Sequence, residues 1–166
     1  MAFSDLFLYF SLFVTLFFEI FLLILYFEVR GEIELEKSLG NHNPKSFPTV
    51  SIIVPCFNEE STVAATIHSL LALDYPSDKL SIIVVDDGSI DSTRRVLDTQ
   101  FGNEKRIQIF SKKNGGKYTA LNLGLDGVES ELVGCLDADS FVNPDALRRM
   151  VPFFERAEIM AVTPSI

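Results

Sequence analysis

Between Leu6 and Phe27 the chain has almost no polar positions: LFLYFSLFVTLFFEIFLLILYF is 22 residues with one ionisable group, Glu19. A helix of that length reaches about 33 Å, enough to cross a hydrocarbon core of about 30 Å. The pattern therefore predicts a transmembrane helix over 6–27. A secretory signal peptide would need a basic start, a shorter apolar core and a small-residue cleavage site, and the segment shows none of these. No Lys or Arg precedes the span, whereas Arg30, Lys37 and Lys45 follow it. The positive-inside rule then places the chain at the cell membrane as a single pass with its globular part in the cytoplasm. Glu19 is expensive in lipid, so it is expected to face another membrane helix or to be protonated there.

Past Phe27 the pattern changes twice. Residues 28–49 are polar and include Gly40-Asn41-His42-Asn43-Pro44, which reads as a linker. From Val50 onward, short apolar runs alternate with amphipathic stretches. Val50–Val54, Leu80–Val85, Ile107–Phe110 and Leu132–Leu136 read as buried strands, and Ile159–Val162 as the start of a fifth. Helices are expected from Asn58 as cap through Asp74, from Ser89 or Asp91 to about Phe101, over Tyr118–Leu125, and from Asn143-Pro144-Asp145 to about Ala157. Strands apolar throughout, separated by helices, indicate an α/β fold: a parallel sheet with helices on both faces.

Composition sharpens this. The chain has 166 residues, 48% of them hydrophobic, and eight of its 15 Phe lie between Phe3 and Phe27. The formal net charge is −9, and from Val50 onward 17 acidic residues still face 11 basic ones. A nucleic-acid partner is therefore not expected, because binding it requires a basic surface. Cys56 and Cys135 both sit in apolar runs without ligand-like spacing, so both read as buried free thiols rather than a zinc site or a disulfide. His42 and His68 are isolated, and His68 reads as a surface or packing residue.

In a parallel sheet, ligands bind beyond the carboxyl ends of the strands. Four polar segments fall there: Pro55-Cys56-Phe57-Asn58-Glu59-Glu60, Asp86-Asp87-Gly88-Ser89, Lys112-Lys113-Asn114-Gly115-Gly116-Lys117 and Asp137-Ala138-Asp139. In an extended backbone Asp137 and Asp139 point to the same side and can share one hard cation, Mg²⁺ or Mn²⁺. Gly115-Gly116 allows close backbone approach to a phosphate, and Lys117 can supply a point charge. Asp86 and Asp87 suit hydrogen bonds from a base N–H or ribose hydroxyls. The chain lacks GxGxxG after its first strand and has no GxxxxGK[ST], which disfavours dinucleotide oxidoreductases and P-loop enzymes. A receiver-type domain would leave the membrane span and the Asp-Ala-Asp element unexplained.

The series VSIIVPCFNEE, IIVVDDGSIDST, KNGGKYTALNLGL and VGCLDADSFVNPDAL resembles the family 2 glycosyltransferases, and most of all the membrane-bound poly-N-acetylglucosamine, hyaluronan and chitin synthase group. The resemblance runs from Val50 to Ile166 and implies a GT-A fold, a Rossmann-like nucleotide-sugar-binding sheet. By that likeness Pro55, Asn58 and Glu59 lie beside the nucleoside, and Asp87 with Asp86 reads uracil. Lys117 lies near the diphosphate, and Asp137 and Asp139 engage ribose, diphosphate and metal. The implied reaction is inverting, metal-dependent transfer from a UDP-sugar to a polysaccharide or other glycan, or a lipid-linked acceptor. A polyprenyl- or dolichyl-phosphate sugar transferase is the alternative within the enzyme class, and a non-catalytic nucleotide-sugar-binding fragment the alternative outside it.

Family members carry a further acidic residue as general base and an acceptor-binding half, processive ones with a Gln/Arg/Trp motif. No residue up to Ile166 matches that base, and the chain has no Trp. The expectation is a truncated domain, the donor-binding part over 50–166, completed for transfer by another chain or segment.

Overall fold

Helix α1 (Phe3–Gly40) forms the first of two units, Met1–His42, in a computed structural model that describes residues 3–40 and 46–163. Its stretch Phe7–Gly31, 25 residues with a mean hydropathy of 2.4, is long and apolar enough to cross a membrane. The helix does not end where the apolar run ends. It continues through Glu28–Gly40, expected as linker, because these residues are mostly good helix formers and the Arg30–Glu34 pair at 3.1 Å supports the next turn. Of the rest of the expected linker, 46–49 are without regular structure, while 41–45 with His42 and Lys45, and the final residues 164–166, lie outside the described residues.

The second unit, Asn43–Ile166, is built on four parallel strands. They are β1 (Val50–Cys56), β2 (Leu80–Asp86), β3 (Ile107–Ser111) and β4 (Leu132–Cys135), in the order β3-β2-β1-β4. Helices α2 (Val63–Leu71), α3 (Thr93–Phe101), α4 (Lys117–Asp126) and α5 (Ala146–Met150) connect or follow them, and α5 runs into a 3₁₀ turn over Val151–Glu155. The α/β reading therefore holds. Alternation along the strands sorts the core into two layers. Val54, Ile82 and Val84 meet Ile67, Leu70 and Leu97 of α2 and α3, while Ile53, Ile83 and Val85 meet α4 through Ala120. Each fully buried Val, Ile or Leu contributes about 1.5–3 kcal/mol, so these layers dominate the stability of the unit.

Several expected boundaries move, each for a local reason. Asn58 does not cap α2, which starts at Val63, because Asn58 takes a φ of 57° and bonds to the loop after β2 instead. The helix after Asn143 tightens into the 3₁₀ turn at Pro152, which lacks the N–H that an α-helix would use there. No fifth strand forms at Ile159–Val162: none of the four strands pairs with it, and Met160 is almost fully exposed. Cys135 is exposed, not buried. β4 is a sheet edge, and α4 packs on β1 and β2, so Val133 and Cys135 lie open on its face. Cys56 is buried as expected, and His68 is exposed with its ring 5.1 Å from that of Phe101.

The approach of α4 to the sheet depends on Gly124. A Cβ there would lie 2.6 Å from Cγ2 of Ile53, a buried side chain whose β-branching leaves it little freedom to move. Gly124→Ala is expected to destabilise the unit by about 1 kcal/mol net, overpacking outweighing the gain in helix propensity. Denaturant unfolding should show this, and Ile53→Val in the same chain should not recover the loss, because valine keeps the Cγ2 that the added methyl meets.

Candidate active site

The strand order changes direction at β1. From it the chain steps outward to β2 and β3, then returns to add β4 on the other side. Such a switch point leaves a crevice beyond the carboxyl ends of the two diverging strands. An open cleft of about 240 Å³ lies there, lined by Pro55 near the end of β1 and Glu59 after it, Asp87 after β2, Lys117 at the start of α4, and Asp137 and Asp139 after β4. Six of the eight residues expected at the site thus meet in one cleft.

The other two serve the loops behind it. Asn58 accepts the Ile90 N–H on its side-chain oxygen at 2.9 Å and donates its own N–H to Ser89 Oγ at 2.9 Å. Asp86 is buried, accepts the Ser89 N–H at 3.0 Å and lies within 3.4 Å of the Ser111 hydroxyl. Neither lines the cleft. Glu59 lines it while its N–H is held by Thr93 Oγ1 at 2.8 Å and its carboxylate by the Thr62 hydroxyl at 2.5 Å.

The two acidic elements differ in kind. Asp87 is 3% exposed, and its carboxylate accepts Lys112 Nζ at 2.6 Å, the Gly116 N–H at 2.7 Å and the Gly115 N–H at 3.1 Å. Burial alone would raise its pKa. The bonds from Lys112, Gly116 and Gly115 outweigh that and hold it below the ordinary carboxylate value. Gly116 reaches this geometry at a φ of 92°, a region that favours glycine. The amides of Gly115-Gly116, the segment expected to allow close backbone approach to a phosphate, are therefore turned onto Asp87.

Asp137 and Asp139 are both exposed, and their arrangement is not the strand alternation expected of them. β4 ends at Cys135, and the pair sits in a turn closed by the Ser140 N–H on the Asp137 carbonyl at 3.0 Å. Lys117 Nζ lies 2.5 Å from Asp137 Oδ1, and this bond raises the lysine pKa against a smaller opposing effect of burial. Two open carboxylates on one cleft form a hard-oxygen donor set suited to Mg²⁺ or Mn²⁺, with room for ligand oxygens to complete the shell. Among the described residues no group of three or more His, Cys, Asp or Glu gathers around one point, so a cation there would depend on its ligand for further oxygens.

Residues 51–166 match the profile of glycosyl transferase family 2. The chain belongs to this family. Among curated relatives, the β-monoglucosyldiacylglycerol synthase of Synechocystis is 36% identical over 69% of the chain and 25% of its own length. The poly-β-1,6-N-acetyl-D-glucosamine synthase of Staphylococcus aureus is 29% identical over 93% of the chain and 37% of its own. The chain thus spans between a quarter and two fifths of these relatives. Among solved structures, the mannosyltransferase PcManGT of Pyrobaculum calidifontis, in complex with GDP-Man and Mn²⁺, matches 73% of the chain and 38% of its own at 27% identity and a TM-score of 0.65. S. aureus TarS 1–349 in complex with UDP-GlcNAc matches 64% of the chain and 31% of its own at 28% identity and a TM-score of 0.58.

In this family 2 chain the structure adds a residue that motif reading passed over. Lys112 donates to Asp87, to the Lys113 carbonyl at 2.7 Å and to Thr119 Oγ1 at 2.7 Å. An ammonium has three N–H groups, so all three are engaged, and of the lysines in KKNGGK it is Lys117 that lines the cleft. The sequence signal for Lys112 was its place right after β3, level with the carboxyl end of β2. Phe57, which also lines the cleft half-exposed, was quoted in a motif without a role.

Lys112→Met is expected to cost about 2 kcal/mol, since it leaves a buried carboxylate short of its charged partner. The sign with pH follows from the lowered Asp87 pKa. Its stabilisation is present above the unfolded value near 4 and is lost as pH falls through the lower folded value. Acid titration followed by circular dichroism should show Lys112→Met unfolding at a higher pH than the wild type.

Proposed function

We propose that the globular unit is the donor site of an inverting, metal-dependent glycosyltransferase that uses a UDP-sugar and acts on a glycan or lipid-linked acceptor at the membrane. The observation that carries this reading is the cleft at the switch point, where Lys117, Asp137 and Asp139 converge with Asp87 behind them. The activities named for the relatives, a glycolipid synthase and a polysaccharide synthase, support the acceptor class. Ligands in the neighbouring structures support a nucleotide-sugar donor, and Mn²⁺ in one of them supports a divalent ion.

Each residue has a part that follows from its environment. Asp137 and Asp139 would hold Mg²⁺ or Mn²⁺, which supplies positive charge where the departing diphosphate develops negative charge. Lys117 is exposed, so it can exchange its contact with Asp137 for a phosphate oxygen. Asp87, fixed and ionised, accepts a hydrogen bond from the base, while Pro55 and Glu59 form the wall beside the nucleoside. The −9 charge of the chain is then no obstacle to a polyanionic donor, because binding is local to one lysine and one cation. Helix α1 anchors the unit to the membrane with the unit on the cytoplasmic side, Arg30 following the span.

Calorimetry tests the donor site: UDP should bind the chain with Mn²⁺ present, and Asp139→Ala should weaken this metal-dependent binding at least tenfold. Absence of UDP binding with Mn²⁺ would sink the reading. Orientation is checked separately. Protease added to intact cells should leave a tag fused after Ile166 uncut, and cleave it only once the membrane is permeabilised.

A further inference from the structure

Helix α2 reaches the Asp137–Asp139 turn directly. Thr66, fully buried on α2, donates its hydroxyl to the carbonyl of Ala138 at 2.8 Å, and Ala138 is itself buried between the two exposed aspartates. The alternative acceptor, the Thr62 carbonyl, is farther away at 3.4 Å, so the hydroxyl is directed to Ala138. Three positions on, on the same helix face, Ser69 donates to the Thr66 carbonyl at 2.7 Å and accepts the Val142 N–H at 3.4 Å. The rest of the turn is held by the Leu136 N–H on the Ile53 carbonyl before it and the Ser140 N–H on the Asp137 carbonyl within it, with Lys117 Nζ on Asp137 Oδ1 and the Ser140 hydroxyl on Asp139 Oδ1.

We propose that Thr66 is a positioning residue for the cation site of Asp137 and Asp139, its hydroxyl fixing the Ala138–Asp139 peptide and through it the direction of the Asp139 side chain. This rests on the reading of those two residues as cation ligands. The Ala138 carbonyl belongs to the peptide joining Ala138 to Asp139, so its rotation would turn the backbone at Asp139 and swing that Cα–Cβ bond, and an exposed carboxylate has little packing of its own to resist it. Cation ligands must be held to about 0.5 Å, and loss of a residue that orients them typically weakens metal binding 10- to 100-fold. Thr66→Val keeps the shape and removes only the donor, whereas Thr66→Ser keeps the donor.

The test is Mn²⁺ affinity of the 166-residue chain in the presence of UDP, read from the electron paramagnetic resonance of the free ion. It is accompanied by thermal unfolding and amide hydrogen exchange without metal. Thr66→Val should weaken Mn²⁺ binding about tenfold and speed exchange at 137–140, and Thr66→Ser should stay within about twofold of wild type. If Thr66→Val lowers the melting temperature but leaves Mn²⁺ affinity unchanged, Thr66 is only a core residue and the proposal falls. Should Thr66→Val not fold, Ser69→Ala carries the test with an expected loss of about threefold, and unchanged affinity there overturns it. A wild-type chain that binds UDP but no Mn²⁺ removes the cation site and the role of Thr66 together, while leaving the donor reading standing.

Discussion

Burial of the Asp87 carboxylate constrains the whole carboxyl edge of the sheet. A charge at 3% exposure must be matched by donors, and the donors come from one distant segment: Lys112 directly after β3, and the Gly115 and Gly116 amides directly before α4. Meeting that demand fixes the path of the β3–α4 connection. It thereby fixes where α4 begins and where Lys117 enters the cleft. The same network keeps Asp87 ionised, so the cleft carries a permanent acceptor at its base.

A second set of bonds ties the loop after β1 to the loop after β2. Asn58 is bonded to Ser89 and Ile90, Glu59 to Thr93, and Glu60 to Asp91 and Ser92. Asp91 in turn accepts both the N–H and the hydroxyl of Thr93 at the start of α3. These contacts tie the two polar loops together through hydrogen bonds. Beneath them, Cys56 is chemically inert. Burial first, then the charges of Asp86, Glu59, Asp91 and Asp87, push its thiol up to about 12. The carboxylate-rich edge is therefore also an environment in which a thiolate does not form.

The motif-bearing segments were legible because each follows an apolar run, and in a parallel sheet such runs end on one edge. That much needs only local composition and topology rules. The division of labour among the motif residues was not legible. Asp86 and Asp87 are adjacent and chemically alike, yet one serves a turn with Ser89 and the other lines the cleft. Lys112 and Lys117 are five residues apart in one motif, yet one is fully engaged and the other open. Thr66 was invisible as anything but a helix residue, because its partner Ala138 is 72 residues away.

The sequence by itself determined the alternation of strands and helices, the apolar helix near the start, and the chemistry gathered at the strand ends. These follow from periodicity and residue type, which act over a few neighbours. Tertiary structure alone decided which carboxylates are buried and which are open. It also decided that α4 leaves the face of β4, with Cys135, exposed, and that the Asp137–Asp139 pair forms a turn rather than an extension of the strand. The physical reason is common to all three: burial, hydrogen-bond partners and edge position depend on what other segments place alongside a residue.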